Sequence, residues 1–127
     1  MDNIKATVTE LVTEKNTAVS VGSGSLEVYA TPAMLALMEK AACEAVAPLL
    51  DEGATTVGTL LNVSHLAATP VGMQVSATAE LIAQEGRKFT FRVTASDECG
   101  VIGEGTHERF SVLSQKFTDK TYSKLNK

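Results

Sequence analysis

The chain is short of the residues that would hold it together covalently or through a metal. Cys43 and Cys99 are its only cysteines among 127 residues. Two are too few for a disulfide framework, and they lack the spacing of a metal site. A reduced, cytoplasmic protein without a bound metal is the expectation. Positive charge is also scarce: 11 Lys and Arg stand against 15 Asp and Glu, a net charge of −4. A protein that grips nucleic acid by its phosphates needs a basic face, so nucleic acid is not an expected partner. No apolar run reaches the length of a membrane span. The start, Met1-Asp2-Asn3-Ile4-Lys5, has no signal-peptide core, so no membrane association is expected either. Histidine is down to two, His65 and His107, and these are the side chains best suited to proton transfer near neutrality.

What is present is a globular composition, 44% hydrophobic and 20% charged. The length suits one domain, residues 1–127, which buries roughly two-thirds of the surface its unfolded form exposes. Ile4, Ala6, Val8 and Val12 alternate with polar residues and predict a first strand. Residues 18–29 are irregular, with Gly22-Ser23-Gly24-Ser25 marking a flexible bend. A helix is predicted over residues 33–47, closed by Pro48 and Asp51-Glu52-Gly53. Residues 55–64 are rich in β-branched side chains. Met73, Val75, Ala77, Ala79 and Leu81 then alternate with polar residues, as do Phe89, Phe91, Val93 and Ala95. Gly86-Arg87 and Gly100 turn the chain between these strands and a last long one, residues 101–113. The polar, lysine-rich tail, residues 116–127, is expected to fray. One helix ahead of hairpin-linked strands predicts an α+β fold, an antiparallel sheet wrapped on a central helix. The other face of the sheet needs solvent or a partner subunit.

The helix carries a carboxylate at an unusual position. Thr31 reads as its N-cap and Pro32 as its first residue. At 100° per residue, Met34, Met38, Ala41, Ala42 and Ala45 form an apolar face flanked by Leu35, Leu37 and Val46. Lys40 and Glu44 lie opposite, as a solvated pair. Glu39 falls on the edge of the buried stripe. Packing against a sheet would bring its carboxylate to the rim of an apolar interior. A plainer role for a carboxylate there is a boundary residue paired with an arginine.

Several motifs occur in order: Thr31, then Met38-Glu39-Lys40-Ala41-Ala42-Cys43, Gly58-Thr59, Val63-Ser64-His65-Leu66-Ala67-Ala68-Thr69-Pro70, and Gly105-Thr106-His107-Glu108-Arg109. Together they resemble the fluoroacetyl-CoA thioesterase family, from about the first strand to Phe117. The resemblance implies a hotdog fold and an acyl-CoA thioesterase with coenzyme A as part of its substrate and no separate cofactor. It also implies at least a homodimer. Thr31, Glu39 and His65 match the family's catalytic constellation, and Gly58 and Arg109 match its substrate-binding positions. One stretch departs from the pattern. Where a bulky lid containing aromatics would precede the helix, residues 22–30 are rich in Gly and Ser, with Tyr29 the sole aromatic. A small-to-medium acyl preference without strong bias toward the fluorinated acyl group is therefore expected.

Each position also has a plainer role. His65 at a strand end could be a satisfied structural group, and Gly58 could relieve crowding or let a thioester carbonyl approach closely. His107 shares a strand face with Arg109, which suits packing or a subunit contact. Cys43 reads as filler, Cys99 as a turn residue, and Asp97-Glu98 as a solvated turn. Thioester hydrolysis needs a nucleophile, a proton donor for the leaving thiolate, and donors to the oxyanion. The residues fit attack by water, by Glu39 or by Thr31, with His65 handling the proton. Two other functions use the same features: a hotdog-type enoyl-thioester hydratase, and a non-catalytic module that binds acyl thioesters or acyl carriers.

Overall fold

The structure, a computed structural model, describes residues 3–127. Met1 and Asp2, part of the stretch read for a signal peptide, lie outside the described residues. The chain runs β1 (Lys5–Leu11), a single helical turn α1 (Ala18–Val21), and the long helix α2 (Thr31–Val46). It continues with β2 (Ala54–His65), β3 (Gln74–Glu85), β4 (Lys88–Asp97), β5 (Gly100–Leu113) and α3 (Ser114–Tyr122). The five strands form one sheet in the order β1-β3-β4-β5-β2, every pairing antiparallel. The sheet wraps α2, which lies chiefly over β3 and β1. This is the α+β hotdog architecture expected.

Period-two alternation puts Val75, Ala77 and Ala79 of β3 and Phe89, Phe91, Val93 and Ala95 of β4 on the inner face, all buried. They meet Met34, Leu37, Met38, Ala41, Ala42, Ala45 and Val46 of α2. The opposite face displays Thr78, Glu80, Arg92, Thr94 and Glu104, a surface suited to water. Alanines on both sides of the contact let helix and sheet approach closely. At Gly103 of β5 an added Cβ would collide with the Met34 thioether, so the start of α2 rests directly on the strand. Among the described residues, no helix is long and apolar enough to cross a membrane.

Three local expectations need correction. Ala30, not Thr31, is the N-cap of α2, and it makes no side-chain cap bond. Thr31 is the first helical residue and Pro32 the second, since the Ala30 carbonyl accepts the first helical bond from the Met34 N–H; the Thr31 hydroxyl is turned to His65. The tail is not frayed: α3 and a 3-10 turn (Ser123–Asn126) continue almost to the end. Gln and Lys are good helix formers, and Gln115 donates to Asp119 one turn on at 2.9 Å. Finally, residues 22–30 are only partly loose. Gly22, at φ 80°, caps α1, whereas Tyr29 is 1% exposed and donates its hydroxyl to Glu10 at 2.6 Å. Burial, then that bond and the Glu10 charge, raise the Tyr29 phenol far above its ordinary range.

Candidate active site

Glu39 sits on the third turn of α2 with its side chain 39% exposed. Its Oε2 accepts from Arg109 Nη1 at 3.1 Å. Arg109, on the inner face of β5, is 6% exposed. Its Nε donates to Thr56 Oγ1 at 2.8 Å and its Nη2 to the Thr56 carbonyl at 3.0 Å. The same Nη1 lies 3.1 Å from His107 Nε2. Thus every nitrogen of this guanidinium has a partner within the protein, and one of those partners is the Glu39 carboxylate. The arginine pairing foreseen as the plain role for Glu39 is real, and it aims the carboxylate.

His107 fixes the arrangement from behind. It is fully buried, and its Nδ1 lies 2.8 Å from the Leu60 carbonyl. A carbonyl can only accept, so Nδ1 carries the proton and Nε2 accepts from Arg109. Burial pushes His107 below its ordinary range, and the neighbouring Arg109 charge adds to this. The bond to Leu60 and the Glu39 charge pull the other way without reversing the shift. The imidazole is therefore neutral at neutral pH. The expected packing role for His107 holds.

β2 makes room for the carboxylate. Gly58 pairs with Arg109, and a bulge follows, with Thr59 as the extra residue before Leu60 pairs with Glu108. A Cβ at Gly58 would collide with Glu39 Oε2 and crowd Arg109 Nη1 and His107. A bare backbone is needed here for close approach of a side chain rather than for an unusual φ.

Thr31 and His65 form a second cluster. His65 is the last residue of β2, and its Nδ1 shares a hydrogen bond of 2.7 Å with Thr31 Oγ1. Its Nε2 is buried and has no partner among the described residues. The pair borders a cavity of about 290 Å³, walled also by Val28, Tyr29, Leu66 and Ala68. That is the low end of ligand-pocket volumes.

The two clusters do not converge within one chain. Thr31 and Glu39 are eight residues apart on one helix, about 12 Å along its axis. Among the described residues no hydrogen bond joins Glu39 to Thr31 or His65. Thr56 was not foreseen, although it lies two residues before Gly58 on the same strand and its own polar atoms hold Arg109. The Tyr29–Glu10 tie was also missed. The described residues contain no group of three or more His, Cys, Asp and Glu placed to hold a metal ion. Asp97 is engaged in its own turn. Its carboxyl is held below its usual range first by the Thr69 hydroxyl and then by the Cys99 N–H.

A model of the fluoroacetyl-CoA-specific thioesterase family, FlK, matches residues 12–115. The fluoroacetyl-CoA thioesterase of Streptantibioticus cattleyicolor is 47% identical over 98 residues, 77% of this chain and 70% of that protein. A solved structure of the fluoroacetyl-CoA thioesterase FlK superposes with a TM-score of 0.91 at 38% identity, covering 98% of this chain and 96% of its own. A thioesterase superfamily member from Thermus thermophilus superposes at 0.88 with 29% identity, over 99% and 93% of the two chains. The sheet, its helix and these relatives define a hotdog-fold thioesterase, a thioester hydrolase. More narrowly, the chain belongs to the fluoroacetyl-CoA-specific thioesterase family.

Proposed function

We propose that this protein hydrolyses small-to-medium acyl-CoA thioesters as a cytoplasmic homodimer. Thr31, Glu39 and His65 form the catalytic set, and Gly58 and Arg109 shape the substrate-binding wall. The observation that carries this is the Glu39 carboxylate, held against the bare backbone of Gly58 by a buried arginine. With Oε2 committed to Arg109, Oε1 is the oxygen that faces the thioester. It either takes a proton from an attacking water, or attacks the carbonyl itself to form a mixed anhydride that water then cleaves, releasing the acid and restoring the carboxylate. In both routes the C–S bond breaks and coenzyme A leaves as its thiolate, which His65 protonates directly or through water. The Gly58 backbone admits the carbonyl, and Arg109 acts on substrate by aiming Glu39. The reaction as written consumes water and uses no cofactor, since coenzyme A enters as part of the substrate. Exposed, unpaired Cys43 and Cys99 suit a reducing compartment.

The homodimer accounts for the separation of the two clusters along α2: Glu39 of one protomer would face Thr31 and His65 of its partner. β2 is an edge strand with Leu60 47% and Leu61 36% exposed. An unpaired edge of this kind is a template for pairing with another chain.

We further propose that fluoroacetyl selectivity is weak. Size alone separates similar acyl groups by only ~1–3 kcal/mol, so strong selectivity needs an added closing device. The only aromatic side chain of residues 22–30 is tied to Glu10 and forms fixed wall.

A thiol-release screen over acyl-CoAs of graded length, including fluoroacetyl, tests this reading. Product identification separates hydrolysis from hydration. Glu39→Gln and His65→Ala should each cut turnover by about 100-fold or more, the scale for a positioned acid or base. Near-normal turnover in both would overturn the assignment. A kcat/KM ratio above ~10⁴ for fluoroacetyl over acetyl, beyond what pocket fit supplies, would overturn the selectivity claim.

A further inference from the structure

Two hydrogen bonds close a small circuit of chain around the cavity. At one end Thr31 Oγ1 meets His65 Nδ1 at 2.7 Å. At the other the Tyr29 N–H donates to the Thr69 carbonyl at 2.9 Å, where Val28 bridges Pro70 antiparallel. Residues 29–31 and 65–69 complete the circuit between them. Tyr29, Thr31 and residues 65–68 wall the cavity of about 290 Å³. Thr69 is outside that wall and completely buried. The near end of the circuit rests on β5, since the N–H groups of Leu66 and Ala67 both donate to the Ile102 carbonyl. The far end hangs on side chains. The Tyr29 hydroxyl reaches Glu10, and the Thr69 hydroxyl reaches Asp97 Oδ2 at 2.7 Å. A carboxylate only accepts, so the Thr69 hydroxyl donates. Asp97, half-buried, is itself fixed through Oδ1, which accepts from the N–H groups of Cys99 at 2.8 Å and Gly100 at 3.2 Å. Thr69 thus commits its hydroxyl to the β4–β5 turn and its carbonyl to the residue two before Thr31.

We propose that Thr69 and Asp97 are positioning residues for the thioesterase site: they fix the far end of the circuit and so hold Thr31 in register with His65. This rests on the thioesterase reading above. Neither side chain borders the cavity. Their effect runs through the Tyr29 backbone. Planar peptide units of fixed length leave little slack between Tyr29 and Thr31, so a shift of the Thr69 carbonyl is passed on.

The test substitutes Thr69, whose side chain leaves the wall untouched. Thr69→Val nearly keeps the volume and removes the donor; Thr69→Ser keeps the donor. NMR of the imidazole nitrogens reads the circuit directly, and a His65→Ala spectrum separates the His65 signals from those of His107. At a pH where histidine is neutral, wild-type His65 should hold one tautomer, with two well-separated nitrogen shifts. In Thr69→Val these should move toward each other, as the ring loses Thr31 and samples both tautomers. Well below the unfolding transition, kcat should fall by about tenfold, the scale of a small misplacement of a reacting group, with KM changed less. Thr69→Ser should restore both readouts. Asp97→Ala should reproduce Thr69→Val from the other side, and it carries the test if Thr69→Val does not fold. Glu98→Ala is the control. Glu98 Oε2 accepts from the Gln74 N–H at 2.9 Å, so this variant removes a carboxylate contact of the same turn while the circuit stays closed, and both readouts should match the wild type. A Thr69→Val protein that melts earlier yet keeps the wild-type tautomer and kcat overturns the proposal, since Thr69 would then only stabilise the fold. Averaged shifts already in the wild type overturn it, as does a tautomer change without loss of kcat. An equal response in Glu98→Ala, or a Thr69→Ser protein no better than Thr69→Val, overturns it too. If the protein hydrolysed no thioester, that reading would fail while the spectra still decided whether Thr69 holds the Thr31–His65 pair. If it hydrolysed thioesters and every variant were silent, the thioesterase reading would stand and the positioning pair would fall.

Discussion

A methyl group at position 58 would occupy space that the Glu39 carboxylate now holds. Gly58→Ala should therefore act as a variant of Glu39 made from the opposite strand. The expected outcome is a fall in kcat of at least about tenfold, from displacing the carboxylate proposed to act on the thioester. The melting temperature should shift by no more than a few degrees, because the strand keeps its backbone. Steady-state kinetics beside thermal unfolding checks both. His107 supports a second prediction, this one about pH. Its folded form resists protonation, whereas the unfolded chain takes up the proton near pH 6.5. The unfolded state then binds more protons below that pH, so stability is present above about pH 6.5 and is lost as pH falls below it. Urea unfolding from pH 7.5 down to 5 should show this loss, and His107→Gln, which does not titrate, should show a shallower one. Equal slopes for both proteins would remove His107 from the account. Glu39 and Gly58 were legible in the sequence, one by its place on the helix edge and both by the ordered motifs. The Arg109–Glu39 pair joins residues 70 apart, and no local pattern reports it. Thr56 looks like any β-branched strand residue until Arg109 is seen leaning on it.

The long helix and its sheet were readable because each buries one face and each shows its period plainly. The alternating residues of β3 and β4 predicted the inner face position by position. The ends were harder. A threonine ahead of a proline reads as a cap, but the helix starts one residue earlier, and the Thr31 hydroxyl bonds His65 rather than the first turn. The polar tail read as frayed because it buries nothing, yet propensity and a side-chain bond one turn apart suffice for α3. The bulge at Thr59 left no trace in the strand's composition. The close contact of α2 with the sheet rests on alanine. Ala41, buried completely, lies two residues from Glu39. Ala41→Leu should overpack that contact and lower unfolding free energy by about 1–3 kcal/mol. It should also reduce turnover, since lifting α2 draws Glu39 off Arg109. Denaturant titration and kinetics on one preparation test whether the two losses travel together.

Assembly can be tested by complementation. If each site takes Glu39 from one protomer and Thr31 with His65 from the other, a hybrid of Glu39→Gln and His65→Ala chains has one intact site and one doubly damaged site. Refolding the two inactive variants together should restore about a quarter of wild-type activity, as expected for random pairing across a two-fold interface. No recovery, or a fully active monomer by light scattering at micromolar concentration, would place the whole site within one chain. The proposed second copy was expected chiefly through the family resemblance; the free edge of β2 and the separated clusters are its physical support. A different consequence lies in residues 23–27, all exposed, between the glycine that caps α1 and the bridge from Val28 to Pro70. They border the cavity beside Thr31 and His65 at Ser23, yet the buried core does not depend on them. Such a segment is a replaceable cassette. Its sequence can drift, lengthen or acquire an aromatic ring with little cost to folding, so the lining of that cavity can change while Thr31, Glu39 and His65 stay as they are.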